Sequence, residues 1–199
     1  MNKKFSIHET VSEYIPKLLE KTISLEKNDE YDSNIQKLGT SNKIFLSQKA
    51  KEAIFDHIDW NKDTANNSVE QGGLLIGHSY EDKENKRIIG YAKNAIPALT
   101  AKGSMAYLKF DHHTWKLMMD ILDTMNEDSE KNEDLQVIGW YHTHPGRLSV
   151  FMSGTDLNTQ RTMFSKDWQF AIVLNPQKQI WRAFSESEAK ECNGYILKS

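Results

Sequence analysis

Gly139-Trp140-Tyr141-His142-Thr143-His144-Pro145, followed by Ser153-Gly154-Thr155-Asp156-Leu157, constrains the fold of this chain more than any other stretch. Residues 135–141 are an apolar run next to the acidic segment 126–134, which predicts a buried strand. Side chains alternate along a strand, so His142 and His144, two apart at its end, project from one face. Ser153 with an acid three residues on predicts a helix start, Ser153 as its N-cap and Asp156 in its first turn. A strand, a short turn and a capped helix would bring Asp156 back toward the two imidazoles.

Neutral imidazole nitrogen and carboxylate oxygen are zinc ligands, and a catalytic zinc takes three protein ligands and leaves a fourth position to water. His142, His144 and Asp156 would fill three. Each half of the pattern also has a plain structural meaning, as two surface histidines and as a capped helix. The meanings are compatible, because Ser153 can cap the helix while Asp156 serves an ion.

Upstream, Val69-Glu70-Gln71-Gly72-Gly73-Leu74-Leu75-Ile76-Gly77 completes a longer pattern. With it the chain resembles the JAMM (MPN+) zinc isopeptidases, whose signature joins Glu-x-x-Gly-x-Leu-x-Gly, His-Ser/Thr-His-Pro and Ser-x-x-Asp. The likeness in apparent element order runs from about residue 42 to about 184. One departure stands out: eight residues separate His144 from Ser153, where the family pattern has seven.

The resemblance implies an α/β (α+β) fold of the MPN/JAB type, a mixed curved β-sheet flanked by helices. It implies one Zn2+ on His142, His144 and Asp156 with a catalytic water, Glu70 as the proton shuttle, and Ser153 as hydroxyl donor to the oxyanion. The implied reaction is hydrolysis of the bond after the C-terminal glycine of ubiquitin or a ubiquitin-like protein. Partners would be that protein, its conjugates and, in a compact stand-alone enzyme of a bacterial conjugation system, E1-like and E2-like proteins. Alternatives are a peptidase that trims a sulfur-carrier tail and a non-catalytic scaffold of the same fold. A zinc deaminase needs a Pro-Cys-x-x-Cys pair, which a chain with the single Cys192 lacks.

Composition sets the remaining bounds. A chain of 199 residues with 38% hydrophobic and 27% charged residues supports one domain with an extension, and its net charge of −3 gives no case for nucleic acid or an anionic membrane. No apolar run approaches a membrane span or a signal sequence, and a lone cysteine fits a reducing compartment, so the expected location is cytoplasmic.

Residues 10–25 are expected to form an amphipathic helix, with Val11, Tyr14, Ile15, Leu18, Leu19 and Ile23 on one stripe that could dock a partner or a second copy. A polar stretch from 26 to 34 then reads as a linker, so residues 1–40 are taken as an extension and 41–199 as the catalytic domain. Within the latter we expect a strand at 44–46, a helix at 48–58, a hairpin of strands 69–80 and 87–96, a short strand at 107–110 and a helix at 111–123. After the His-x-His strand come the Ser153 helix, to about 164, and two final strands near 168–174 and 179–184. His57 falls on a helix face, and Asp111-His112-His113 reads as a helix start more than a metal cluster, because adjacent helical side chains diverge.

Overall fold

Apolar runs buried on both faces build the main strands of this chain. The computed structural model describes residues 14–19, 26–27, 32–61, 69–100, 102–103, 108–127 and 134–198. In chain order these hold β1 (Lys17–Leu18), β2 (Lys43–Leu46), α1 (Gln48–His57), β3 (Gly72–Asp82), β4 (Arg87–Pro97), β5 (Lys102–Gly103) and β6 (Leu108–Lys109). They continue with α2 (His112–Asn126), β7 (Gln136–Thr143), α3 (Gly154–Met163), β8 (Phe170–Asn175), β9 (Ile180–Ser185) and β10 (Lys190–Ile196).

Among the described residues, eight strands form one mixed sheet in the order β1-β3-β4-β2-β10-β9-β8-β7, while β5 and β6 make a separate ribbon. Strand β3 pairs with β7 as well as β4, so the curved sheet closes on itself. Closure removes free edges around the ring. It also gives the sheet two covered faces. One packs Leu75, Tyr141, Phe170 and Ile172 against Ile54 of α1; the other packs Leu74, Trp140, Ala171 and Val173 against Met118 and Leu122 of α2 and Phe164 at the end of α3.

The strand that carries the histidines is central, antiparallel to β3 and parallel to β8. Its register against β3 slips by one residue at Ile138, since Leu75 faces Gly139 and Ile76 faces Val137. Gly139 makes that bulge tolerable. A Cβ there would lie 2.0 Å from Phe170 O, and the glycine holds φ at +156°.

Two expectations are corrected. Residues 14–19 run extended, not helical: β1 lies parallel to β3, with Lys17 opposite Tyr80, and Leu19 N donates to Glu81 O at 3.1 Å. Pro16 is the physical reason, because it lacks the N–H a helix interior needs and biases Ile15 toward extended backbone. The supposed stripe is split accordingly, with Ile15 77% and Leu18 58% exposed. Tyr14 instead turns inward; its hydroxyl accepts from Ser79 N at 3.0 Å and donates to Ser79 O, and its ring stands edge-on to Trp168. Residues 10–13 and 20–25 of the expected helix lie outside the described residues. Farther along, Ser33 N donates to Gly194 O and Gly39 N to Glu191 O, so residues 32–40 lie against β10.

The second correction is β10, which follows the two strands expected at the end and pairs antiparallel with β9 and parallel with β2. Its sequence, Lys-Glu-Cys-Asn-Gly-Tyr-Ile, has too few apolar residues to announce a strand. The buried Glu191 sits there because Arg182 of β9 meets it.

Candidate metal centre

Residues 140, 142 and 144 share one face of β7 and its continuation, and each is fixed differently. Trp140 Nε1 donates to Gln160 Oε1 of α3 at 2.7 Å, and its ring stacks on His142 at 4.4 Å between centroids. His142 is thus oriented by an aromatic plane. His144 is oriented by a hydrogen bond of 2.7 Å between its Nδ1 and Ser149 O. A carbonyl can only accept, so Nδ1 carries the proton and Nε2 of the neutral ring is left as a donor atom for a cation.

Helix α3 supplies the third group. Ser153 Oγ accepts from Asp156 N at 3.2 Å and Asp156 Oδ2 accepts from Ser153 N at 2.7 Å, a complete capping box. The same carboxylate turns to the histidines. Its Oδ1 lies 3.3 Å from His142 Nε2 and its Oδ2 lies 3.3 Å from His144 Nε2. One donor atom from each of His142, His144 and Asp156 falls within 4.8 Å of the others, and all three residues are buried.

This set fits a zinc ion in number, chemistry and orientation. Neither ring nitrogen of His142, though buried, has a hydrogen-bond partner. A metal ion on Nε2, which otherwise faces only Asp156 Oδ1, would give that nitrogen a partner.

Glu70 arrives from the neighbouring strand. Gly72 faces His142 in the β3–β7 ladder, and Gln71 extends it by donating to Thr143 Oγ1 and accepting from Thr143 N. One step further brings Glu70 beside His144, with Oε1 3.9 Å from Nε2. Its Oε2 is buried without a hydrogen-bond partner, and Glu70 falls outside the three-residue donor cluster.

Burial decides the charges. It pushes the Glu70 carboxyl up to about 7, against the pull of His144 and with the push of Asp156. Burial also holds His142 below its ordinary value despite Asp156, so the ring is neutral. For His144 burial acts downward, but Asp156, Ser149 O and Glu70 outweigh it and raise the pKa. Burial would likewise raise Asp156, yet His142, His144 and Ser153 hold its carboxyl well below the usual range. A permanent carboxylate therefore lies beside one that titrates near neutrality.

A family model described as JAB1/Mov34/MPN/PAD-1 ubiquitin protease matches residues 40–166, more than half of the chain. The chain belongs to that JAB/MPN family. It is 26% identical over 166 residues to COP9 signalosome complex subunit 5 of Candida glabrata, covering 81% of this chain and 32% of that protein. With 26S proteasome non-ATPase regulatory subunit 14 of Caenorhabditis elegans it shares 25% over 150 residues, 75% of this chain and 42% of the relative. With ubiquitin carboxyl-terminal hydrolase RPN11 of Saccharomyces cerevisiae it shares 26% over 116 residues, 56% and 33% respectively. The matched region spans between 21% and 54% of the length of these curated relatives.

In this JAB/MPN domain the rival histidines do other work. Asp111 Oδ1 accepts from Thr114 N as the N-cap of α2, and His112 and His113 are exposed on its first turn. His57, half-buried, meets Tyr141 Oη at 3.0 Å on the opposite face of β7 from His142. Cys192 is buried, which pushes its thiol pKa up and leaves it a packing residue. Three further residues of the site were not legible in the motif: Trp140, Gln160 and the Ser149 carbonyl. Only Trp140 left a signal, two residues before His142 on the same strand face.

Proposed function

We propose that this JAB/MPN domain is a zinc-dependent isopeptidase that hydrolyses the bond after the C-terminal glycine of ubiquitin or a ubiquitin-like protein. The convergence of His142, His144 and Asp156 carries the reading, with Glu70 beside them. When bound there, zinc supplies Lewis acidity, which makes water a nucleophile at neutral pH.

The chain's own residues supply the rest. Asp156 and the two imidazoles hold the ion. Glu70, with a carboxyl titrating near neutrality, takes a proton from the attacking water and hands it to the departing amine; proton transfer of this kind contributes about 10²–10⁴ in rate. Ser153 accepts from Asp156 N through Oγ, which leaves its hydroxyl proton to donate to the oxyanion that develops on the substrate carbonyl. Phe151, half-exposed with its ring edge-on to His144 at 5.2 Å, walls the site on the side of the 145–152 turn.

The substrate class follows the family's description and the printed names of its relatives. The test is incubation of the zinc-loaded protein with ubiquitin and ubiquitin-like proteins extended beyond their terminal glycine. Release of the extension at that glycine, lost in Glu70→Gln, is expected. Intact substrates throughout the set would contradict the proposed specificity.

A further inference from the structure

The turn between His144 and Ser153, one residue longer than the family pattern, has no regular secondary structure, yet its backbone is tied down carbonyl by carbonyl. Gly146 O and Leu148 O both accept from Asn175 Nδ2, each at 3.0 Å. Arg147 O and Leu148 O accept from Lys178 Nζ at 2.9 and 3.0 Å. Val150 O accepts from Arg182 Nη1 at 2.6 Å. The carbonyl between these is Ser149 O, the partner of His144 Nδ1. All three donors come from the end of β8, the β8–β9 turn and β9.

We propose that Asn175 is a positioning residue for the metal centre, acting through the 146–150 turn to hold Ser149 O against His144 Nδ1. Asn175 is fully buried, at the last position of β8, and its Oδ1 accepts from Lys178 N, which turns the amide so that Nδ2 faces the turn. One of the two carbonyls it holds, Leu148 O, immediately precedes the key one, and Arg182 holds Val150 O on the other side. Without Asn175, Ser149 O drifts, the His144 ring loses its fixed tautomer and Nε2 is no longer aimed at Asp156. Partners of this kind behind a metal ligand commonly affect metal affinity by about 10–100-fold. Lys178 and Arg182 act on the same turn from either side, Lys178 from the exposed surface.

The inference rests on the zinc reading above, and the experiment separates the two. Zinc is titrated into metal-free protein against a chromophoric chelator, and the visible spectrum of the Co2+ form reports ligand geometry. Variants are Asn175→Ala and Lys178→Met, with Asn42→Ala as control. Asn42 is also buried and hydrogen-bonded, donating to Ser185 Oγ and accepting from Ile88 N, but it sits at the other end of β9 from the turn. Asn175→Ala should bind zinc about 10–100-fold more weakly and shift the Co2+ bands, Lys178→Met should weaken zinc several-fold without moving the metal-free melting temperature, and Asn42→Ala should melt lower with unchanged affinity. Wild-type affinity and spectrum in a folded Asn175→Ala would overturn the proposal, as would an equal affinity loss in Asn42→Ala. Should Asn175→Ala fail to fold, Lys178→Met decides, and wild-type affinity there overturns it. A wild-type protein that binds no zinc fails the underlying reading first, a result distinct from any of these.

Discussion

Asp156 is bonded to Ser153 by two reciprocal hydrogen bonds, and the carboxylate that closes this box is the one that faces His142 and His144. Helix initiation and ligand placement are thus one local structure. A carboxylate free to rotate would lose rotamer entropy on binding an ion; here the Ser153 N–H has already fixed it.

Ser153 can be separated into its two roles. Ser153→Ala removes the cap and the hydroxyl, and should cost about 1 kcal/mol of stability and roughly a hundredfold in turnover. Ser153→Asn retains a good cap, so its melting temperature should stay near wild type while turnover drops. Parallel thermal melts and kcat measurements test this; Ser153→Asn with wild-type turnover would remove Ser153 from the chemistry.

Glu70→Gln should keep zinc while lowering turnover by about 10²–10⁴, because an amide matches the carboxyl in shape and cannot shuttle protons. It should also change the pH dependence of stability. The Glu70 carboxyl titrates near 7 in the fold against an ordinary 4.5, so its neutral form is favoured by folding. That contribution is complete below about pH 4.5 and is lost as pH rises through about 7, on the order of 3 kcal/mol at most. Metal-free wild type should therefore weaken relative to Glu70→Gln between pH 5 and 8 in urea titrations. Parallel curves for the two proteins would place Glu70 in contact with water.

Arg182 and Glu191 form a buried pair, with Nε to Oε1 at 2.6 Å and Nη2 to Oε2 at 2.5 Å, and Glu191 also accepts from Gln36 N and Lys37 N. Burial raises the Glu191 carboxyl, but Arg182 and these two amides bring it below its ordinary value. Stability from this group is present above the unfolded pKa and lost as pH falls through the folded one. Arg182→Met strands a buried carboxylate and should cost about 3–5 kcal/mol, whereas Arg182→Met with Glu191→Leu should recover most of it. Additive losses in denaturant melts would show that the pair is not coupled.

The convergence of His142, His144 and Asp156 was legible in sequence because each part has a local signature: an apolar run ending in two histidines of one parity, then a serine cap with an acid three residues on. The β3–β4 hairpin, α1 and α2 were legible from periodicity, each to within a few residues of its ends. Residues 14–19 were misread because an i, i+3, i+4 spacing was weighed without Pro16, which sits in the middle of it. Strand β10 was missed because Glu191 is buried through a charge partner on β9, which no single-strand pattern reveals. Sheet closure is likewise a relation between β3 and β7, far apart in sequence. Asn175 and Arg182 act on backbone carbonyls, so no pairing of residue types could mark them.

Zinc content of the purified protein, set beside that of the His142→Ala/His144→Ala double variant, tests the central claim most directly. The wild type should carry about one zinc per chain and melt higher with it, while the variant should fold and carry essentially none. Full zinc retained by the double variant would contradict the assignment of the ion to His142, His144 and Asp156.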